Sequence, residues 1–344
     1  MRQTDEFVEV LRRNGHVSDP QARLAPMSGG VSSEIYLADD GARKFVVKRA
    51  LAKLKVKDDW FADVGRNRSE RDYMERVGRM MPGAVPELYF SSAEDGYFGM
   101  EYLGEDFLNW KSMLLAGEFS AGHAGLAGRI LGEIHRRTAG DEGLRRQFDT
   151  TENFHQLRVE PYLLTTGARH PALRSLFDAE ALRIESTQEA LVHGDFSPKN
   201  ILIRGDRMVL LDCEVAWYGD PVFDVAFFLN HIFLKSLHHA PRRCGGDEMH
   251  GGDEMVDAFW GAYARERSTD EALAIEKRLV PLLLMLMLAR VDGKSPVEYL
   301  AAPKQTFIRA FVSKHLPSPP GSLGALREIW FKQILASEFI EAHA

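Results

Sequence analysis

The amino-acid sequence predicts an α+β fold with two lobes, a small β-rich N-terminal lobe and a larger, mostly helical C-terminal lobe. Strand-like apolar runs occur near the N-terminus, at Phe45-Val46-Val47-Lys48 and at Tyr97-Phe98-Gly99-Met100. Apolar residues at helical spacing dominate the rest of the chain. The 344 residues also exceed a typical single domain and suit two lobes. We therefore expect an N-terminal lobe over residues 1–102 and a C-terminal lobe over residues 103–344.

Helices are predicted wherever apolar positions recur every three to four residues. The first spans residues 4–13, with Thr4 as its cap and Glu6 in its first turn. A core helix is predicted at 126–138, where His135 is expected to be packed and hydrogen-bonded rather than catalytic. Further helices are predicted at 171–184, 221–237, 254–265, 270–289, 303–312 and 322–340.

Composition and charge argue against several classes of protein. A net charge of −7 and a pI near 6.0 disfavour a general nucleic-acid binder and are compatible with a cationic substrate. The two cysteines, Cys213 and Cys244, indicate neither a structural disulfide nor a zinc site. The N-terminus lacks the apolar core of a signal peptide, and the apolar run 280–289 is too short to cross a bilayer. We expect a cytoplasmic protein that binds neither nucleic acid nor membranes.

The pattern with the clearest chemical meaning is His193-Gly194-Asp195-Phe196-Ser197-Pro198-Lys199-Asn200, followed twelve positions later by Asp212. An alcohol that attacks a phosphoryl group needs a carboxylate to orient it and to accept its proton, and Mg²⁺ on the phosphates needs hard oxygen ligands. Asp195 can serve as the carboxylate, and Asn200 and Asp212 as the ligands. The alternative is a surface turn followed by an unrelated hairpin, because Asp and Asn are common turn residues.

The residues between Asn200 and Asp212 predict a β-hairpin. Two short apolar runs, 201–203 and 208–211, flank the turn Arg204-Gly205-Asp206-Arg207. Such a hairpin would bring Asp212 back beside Asn200.

At these positions the sequence resembles the aminoglycoside phosphotransferase and choline kinase superfamily of small-molecule kinases, which are relatives of the protein kinases. The pattern HGDxxxxN, an apolar hairpin and an Asp are all present from His193 to Asp212. The continuation from Asp212 to Asp224 also matches the family run D-x-E-x-x-x-x-G-[DP]-x-x-x-D. The resemblance implies a protein-kinase-like fold, ATP and Mg²⁺ as cofactors, and a small molecule with a hydroxyl group as the acceptor.

The resemblance also assigns roles to these residues. It implies that Asp195 is the catalytic base, that Asn200 and Asp212 hold the metal, and that His193 and Asp224 support the catalytic loop. For Asp224 the alternative is an ordinary acidic residue in the first turn of a helix, where the helix dipole favours it.

The N-terminal lobe is expected to bind the nucleotide. A glycine-bearing loop precedes a strand, and its backbone amides are suited to approach phosphates. Where the family usually shows Asn, this chain has Ser33. The loop residues expected at the phosphates are Ser28, Gly29, Gly30, Ser32 and Ser33.

Lys48 ends a strand-like run and resembles the kinase lysine that contacts the α- and β-phosphates. The alternative is a lysine that keeps an edge strand soluble. Glu70, on a predicted helix, is expected to pair with Lys48, with Glu75 as the second choice. The strand from Tyr97 leads into Glu101, Tyr102 and Leu103, which resemble the hinge whose backbone binds adenine.

The resemblance implies that the acceptor lies between the catalytic loop and the helices after Asp212. Candidate acceptor-binding residues are Glu214, Trp217 and Arg290. The segment 289–300 around Arg290 is similar to part of the methylthioribose kinases, although a helix-capping turn explains it equally well. Four aromatic residues could form a wall for a quaternary ammonium group, with core packing as the alternative. They are Trp110, Trp217, Tyr218 and Phe223.

Two further interpretations of the sequence each have an alternative. The copies 245–249 and 251–255 of Gly-Gly-Asp-Glu-Met are interpreted as a duplicated flexible loop rather than a metal site or a lid. The function is predicted to be phosphorylation of a sugar-like compound, an amino alcohol or an aminoglycoside. The alternative is a catalytically silent nucleotide-binding regulatory protein.

Overall fold

The computed structural model of the protein describes residues 3–19, 21–27, 33–50, 66–240, 251–337 and 339. The chain divides into two compact units. The first comprises Met1–Phe107 with Val209–Glu214, and the second comprises Leu108–Met208 with Val215–Ala344. Assignment of residues 1–102 to nucleotide binding and of 103–344 to catalysis and acceptor binding stays a prediction.

The first unit is built on an antiparallel five-stranded sheet with the strand order β1-β2-β3-β5-β4. Its strands are β1 Arg23–Pro26, β2 Ser33–Asp39, β3 Lys44–Ala50, β4 Leu88–Ser92 and β5 Tyr97–Glu101, and its helices are α1 Gln3–Arg13 and α2 Arg66–Met80.

Side-chain alternation along β3 divides its residues between the two faces of the sheet. Phe45 and Val47 are buried in a cluster with Phe7 and Leu11 of α1. Lys48 has the opposite parity and contacts α2 through its ammonium group. One strand thus contributes apolar residues to the core on one face and a buried cation on the other.

The second unit is mostly helical. Its helices are α3 Trp110–Leu115, α4 Ala121–Thr138, α5 Glu142–Gln147, α6 Thr151–Phe154, α7 Thr165–Arg169, α8 Arg174–Ser186, α9 Val222–His239, α10 Gly252–Ala264, α11 Thr269–Asp292, α12 Ala302–His315 and α13 Leu323–Ala336, with a π-helical segment at His155–Leu164 and a 3-10 turn at Pro198–Asn200. Its short strands are β6 Leu108–Asn109, β7 Ala190–Val192, β8 Ile201–Arg204, β9 Arg207–Leu210 and β10 Trp217–Gly219. The last two residues of β9 belong to the first unit.

Helix α9 forms the centre of the second unit, since every residue from Val222 to Leu237 is buried. Helices α4 and α10 pack closely because α4 carries glycine at the contact. A Cβ on Gly128 would lie 2.2 Å from the carbonyl oxygen of Phe259 in α10. Helices α3, α10 and α11 contact α9, whose first turn contributes Asp224 to the candidate site.

These observations confirm the predicted α+β fold class, with the sheet in the N-terminal region and helices dominating the C-terminal part. The eight predicted helices are present, although 322–340 was predicted too long, since α13 ends at Ala336. The hairpin is confirmed as β8 and β9, with Gly205 at φ 55° in its turn. None of the helices in the described residues is long and apolar enough to cross a membrane.

The repeated Gly-Gly-Asp-Glu-Met sequence is only partly described. The first copy, 245–249, lies outside the described residues. In the second copy, Gly251 has a φ of 65° and caps α10, and Asp253 and Glu254 lie in the first helical turn. For this copy the interpretation as a flexible loop is wrong, because its acidic residues favour the N-terminus of a helix.

Candidate active site

A buried lysine between two carboxylates defines the candidate site of the first unit. The Lys48 Nζ donates hydrogen bonds of 2.9 Å to Glu70 Oε1 and to Asp212 Oδ1. The side chains of Lys48 and Glu70 are 4% and 3% exposed, whereas that of Asp212 is 30% exposed. Asp212 is therefore the carboxylate of the three-residue cluster that solvent, and hence a ligand, can reach.

The position of Lys48 rules out the edge-strand alternative. It lies on β3, the central strand of the sheet, and that strand pairs with β2 and β5. Glu70 is the α2 carboxylate that reaches it, because Glu70 shares a helix face with the buried Tyr73 and Val77. Glu75, the second choice, is instead solvent-exposed and paired with an arginine.

The charges of this cluster are strongly coupled. Burial alone would lower the pKa of Lys48, but the carboxylates of Asp212 and Glu70 hold that pKa well above its ordinary value. Burial raises the pKa of Glu70 to about 7, and the nearby Lys48 opposes this rise. The ammonium therefore stays charged, while the raised pKa of Glu70 places its protonation near neutral pH.

Asp212 has an unusual backbone conformation. Its φ of 60° is the only positive value at a non-glycine position among the described residues. Its segment is tied to the first unit on both sides, since Leu210 N donates to Ala84 O at 2.8 Å and the buried Cys213 Sγ donates to Glu70 O at 3.5 Å. A strained residue held from both sides is typical of a functional position.

The loop that carries Asp195 follows strand β7 in the second unit. Gly194 has a φ of 77°, and a Cβ there would lie 2.4 Å from Val215 O, so glycine is required. Asp224, in the first turn of α9, accepts hydrogen bonds from His193 N at 2.7 Å and from Gly194 N at 2.9 Å. These are the contacts that a residue supporting the loop would make.

Asp224 is itself fixed by a buried histidine. His135 of α4 is completely buried, with Nε2 3.3 Å from Asp224 Oδ2 and Nδ1 3.1 Å from Tyr263 Oη. Burial lowers the pKa of His135, so the ring is neutral near pH 7. The prediction that His135 is packed and hydrogen-bonded is confirmed.

Arg158 contacts the loop at Asp195, and sequence reasoning did not identify it. Its Nη2 lies 3.1 Å from Asp195 Oδ2, and its Nε donates to Gly194 O at 2.6 Å. Arg158 lies in the π-helical segment, a rare form that often occurs at functional sites. In the sequence, Arg158 belongs to a segment of mixed aromatic and charged residues. That segment has no periodicity from which the direction of its side chains could be predicted.

Asn200 ends the loop that carries Asp195 and is buried. Its Nδ2 donates to Asp195 O at 3.1 Å, and within the described residues its Oδ1 has no hydrogen-bond donor. This amide oxygen therefore remains available as a ligand atom.

The candidate acceptor residues differ in their surroundings. Trp217 of β10 is completely buried, and its ring stacks on Phe154 with centroids 4.0 Å apart. Arg290 lies in the last turn of α11 and donates to Tyr162 Oη at 3.1 Å and to Ser295 Oγ at 2.9 Å. Glu214 is half-buried in the first unit. Their roles in acceptor binding stay predictions.

The expected nucleotide contacts are described only in part. Ser28, Gly29, Gly30 and Ser32 lie outside the described residues, whereas Ser33 is the buried first residue of β2. Glu101 ends β5 and its backbone N donates to Glu87 O at 2.8 Å. Tyr102 and Leu103 follow it and are half-buried.

Two comparisons concern the sequence. The model of the phosphotransferase enzyme family matches residues 23–275, more than half of the chain. Among similar curated proteins, the methylthioribose kinase of Yersinia pseudotuberculosis serotype O:3 (strain YPIII) is 23% identical over 313 residues, which cover 79% of this chain and 76% of the relative. That of Pectobacterium carotovorum subsp. carotovorum (strain PC1) is 24% identical over 310 residues, covering 78% and 77%.

Solved structures share the fold. An amicoumacin kinase in complex with AMP-PNP, Ca²⁺ and Ami aligns with a TM-score of 0.52 and 13% identity, covering 94% of this chain and 96% of that chain. A choline/ethanolamine kinase family protein from Mesorhizobium loti aligns with a TM-score of 0.50 and 13% identity, covering 97% and 99%.

The fold and the sequence comparisons together show that the protein is an enzyme of the small-molecule kinase class. The chain belongs to the phosphotransferase enzyme family. The superfamily resemblance seen in the sequence is thereby confirmed, and these comparisons give no support to the alternative of a catalytically silent regulatory protein.

Proposed function

We propose that the protein transfers the γ-phosphoryl group of ATP, with Mg²⁺ as cofactor, to a hydroxyl group of a small molecule. The observation that carries the proposal is the buried ammonium of Lys48, bonded to both Glu70 and Asp212. A cation fixed in this way can hold the phosphates of a nucleotide in one position. Membership of the phosphotransferase enzyme family and a fold shared with a kinase bound to AMP-PNP support ATP as the donor.

Asp195 is the proposed catalytic base. Its carboxylate orients the acceptor hydroxyl and accepts the proton as the acceptor oxygen attacks the γ-phosphorus of ATP. The bond to the β,γ-bridging oxygen breaks, and ADP leaves. Asp224 and His193 keep the Asp195 loop in place, and Arg158 fixes the direction of the carboxylate.

Nucleotide contacts are proposed for the first unit. Glu70 keeps the Lys48 ammonium aimed at the phosphates. The backbone of Glu101, Tyr102 and Leu103 is proposed to bind the adenine. The loop residues proposed at the phosphates are Ser28, Gly29, Gly30, Ser32 and Ser33.

Asn200 and Asp212 are the proposed Mg²⁺ ligands, and their chemistry fits this ion. Asn200 uses its amide nitrogen on Asp195 O and retains its amide oxygen, and the Asp212 carboxylate is partly exposed. Mg²⁺ prefers such hard oxygen atoms and commonly uses one or two protein groups besides substrate phosphates and water. The described residues contain no group of three or more His, Cys, Asp or Glu side chains suited to a metal, which agrees with so small a protein ligand set. When bound, Mg²⁺ would neutralise charge on the phosphates.

The acceptor is proposed to be a sugar-like compound, an amino alcohol or an aminoglycoside. Similarity to methylthioribose kinases favours the first class. Glu214, Trp217 and Arg290 are the residues proposed to contact it.

Mg²⁺-dependent release of ADP from purified protein, measured across these acceptors, tests the proposal. Asp195→Asn should lower acceptor-dependent turnover by about 100-fold or more, because the general base is lost, while nucleotide affinity changes little. Asp206→Asn, an exposed position in the β8–β9 turn, is the matched control and should be fully active. Full turnover by Asp195→Asn would refute the assignment, as would acceptor-dependent transfer without a divalent cation.

A further inference from the structure

A second buried lysine lies in the centre of the second unit. Lys235 of α9 is 1% exposed, and within the described residues its ammonium has neither a hydrogen bond nor a carboxylate partner. The contact made by its Nζ is with the face of Tyr299, 5.2 Å from the ring centroid. Burying a charge without a partner is costly, so a residue of this kind requires an explanation.

Three residues that contact Lys235 or interact with it electrostatically carry polar atoms without partners. The Nε of Arg290, the hydroxyl of Tyr299 and the Nδ1 of His231 are all buried and lack a hydrogen-bond partner within the described part of the chain. Lys111 of α3 lies nearby and is paired with Glu298. We name Lys111, His231, Lys235, Arg290 and Tyr299 the cationic cluster.

The charges of this cluster are close enough to affect one another. Burial, followed by the charges of Arg290 and Lys111, lowers the pKa of Lys235 to about 7, and Glu298 acts in the opposite direction. Burial, followed by the charge of Lys235, also lowers the pKa of His231 well below its ordinary value. Within the described residues, Lys235, Arg290 and Lys111 therefore share one carboxylate, Glu298, so the local charge is positive although the whole chain is acidic.

The cluster is adjacent to the candidate catalytic base. The Cζ atoms of Arg158 and Arg290 each lie 5.8 Å from the centroid of the Tyr162 ring. Arg158 in turn contacts Asp195. The ring of Phe227 packs against both Tyr162 and His231, at centroid distances of 5.5 and 5.4 Å. Tyr162 thus contacts both Arg290 of the cationic cluster and Arg158, the residue that contacts Asp195.

We propose that the cationic cluster binds an anionic group, a carboxylate or a phosphate, carried by the acceptor. This inference rests on the proposed function and specifies its substrate class as a hydroxylated small molecule with a negative charge. An anion would give partners to Lys235 and to the free Nε–H of Arg290, and charge-assisted hydrogen bonds of this kind are strong. It would also fix the end of the acceptor opposite the hydroxyl that faces Asp195. A cationic substrate, with which the net charge of the chain is compatible, is thereby replaced by an anionic one.

Matched acceptor pairs that differ in the anion test the inference. Glucose is compared with gluconate for the carboxylate, and ribose with ribose 5-phosphate for the phosphate, each by Mg²⁺-dependent ADP release. The anionic member of at least one pair is expected to have kcat/KM at least tenfold higher, and the pair that shows it identifies the group. Lys235→Met should remove most of this preference. Lys277→Met, an exposed lysine on α11, should not.

A binding measurement decides the question even where none of these compounds is a substrate. Inorganic phosphate and acetate are titrated into the protein with ADP and Mg²⁺ at saturation, so that the nucleotide phosphate site is filled. At least one anion is expected to bind, with affinity at least tenfold weaker in Lys235→Met and in a second variant, Arg290→Gln. If neither anion binds, or if binding is the same in both variants, the inference is overturned.

Failure of this inference can be distinguished from failure of the proposed function. Mg²⁺-dependent phosphorylation of neutral or cationic acceptors alone, without anion binding sensitive to Lys235→Met, overturns the anionic substrate class and leaves the kinase reaction standing. Anion binding at the cluster without transfer to any acceptor would instead count against the proposed function.

Discussion

Arg158 and Asp195 are 37 positions apart in the sequence, yet the guanidinium of Arg158 contacts both the Asp195 carboxylate at 3.1 Å and the preceding carbonyl of Gly194 at 2.6 Å. A planar guanidinium has several donors in fixed directions, so these two contacts together determine the orientation of the loop relative to the carboxylate. The faces of Tyr162 and Phe227 in turn hold the guanidinium.

We expect Arg158→Lys to lower kcat by about 10-fold to 100-fold, because a single ammonium cannot make both contacts. The KM for ATP should change less than threefold or so, since ATP is proposed to bind in the first unit. Arg278→Lys is the matched control, because Arg278 makes a similar two-atom contact with Glu189 away from the loop. Steady-state kinetics separate the two effects. A rise in KM for ATP with unchanged kcat would contradict a positioning role for Arg158.

Lys48 is expected to contribute to both stability and nucleotide binding. Lys48→Met leaves the buried Glu70 carboxylate without its cation and should reduce the free energy of unfolding by about 3 kcal/mol at pH 8. The loss should be smaller at pH 6, because the variant's Glu70 then takes up a proton. Chemical denaturation at the two pH values measures both losses. An equal loss would show that the carboxylate does not titrate in this range.

Glu70→Gln and Glu75→Gln form a matched pair on α2. Glu70→Gln keeps the size of the side chain but weakens its hold on Lys48, so we expect kcat/KM for ATP to fall by about 10-fold. Glu75 is exposed and does not contact the Lys48 cluster, so its variant should resemble the unmodified protein. Equal activities of the two variants would remove Glu70 from the proposed nucleotide site.

Asp224 is expected to affect stability and rate together. Asp224→Asn replaces one of the two acceptor oxygens that face His193 N and Gly194 N with an NH₂ group, which places two donors against each other. We expect a loss of about 2–4 kcal/mol in the free energy of unfolding and a lower kcat. Thermal unfolding and ADP release measure the two effects. The control is Asp178→Asn on α8, where the carboxylate is 48% exposed and pairs with Arg174. Unchanged stability of Asp224→Asn would show that these hydrogen bonds contribute little.

The elements that the sequence predicted correctly are those that neighbouring residues in the chain define. The hairpin between Asn200 and Asp212 was predicted from apolar runs and a glycine turn, and it is present. The roles of Asp195, Asn200 and Asp212 stay predictions. The pairing of Lys48 with Glu70 rather than with Glu75, which the family resemblance implied, is present.

Arg158 and Lys235 could not be predicted in the same way. The π-helical segment around Arg158 breaks the 3.6-residue periodicity from which side-chain direction is inferred. Lys235 lies on a helix that is buried on all sides. The sequence of such a helix does not divide into an apolar and a polar face, so it does not predict the environment of a single lysine. Arg158 and Lys235 each contact a residue more than 35 positions away in the sequence. Such a contact exists only in the folded chain, so the sequence pattern around each residue does not indicate it.

Lys235 should also give the protein a characteristic dependence of stability on pH. Its pKa is lowered from an ordinary value of 10.5 to about 7, by burial and then by Arg290 and Lys111 against the opposing Glu298. Of the other groups facing it, Tyr299 has a raised pKa and His231 a lowered one, so both are neutral between pH 7 and 10. Of Lys235, His231 and Tyr299, Lys235 is therefore the one that titrates in this window.

Between pH 7 and 10.5 the folded protein therefore binds fewer protons at Lys235 than the unfolded chain does. Its contribution to the free energy of unfolding must then rise with pH, by up to about 1.4 kcal/mol per pH unit. We expect Lys235→Met to abolish this rise and to be more stable than the unmodified protein near pH 7, where the lysine carries a buried charge.

The difference in unfolding free energy between the two proteins, measured from pH 7 to pH 9.5, cancels the titration of groups common to both. Lys277→Met, exposed on α11, should follow the unmodified protein throughout. A difference independent of pH would mean that Lys235 keeps its ordinary pKa, and that water or an anion already compensates its charge.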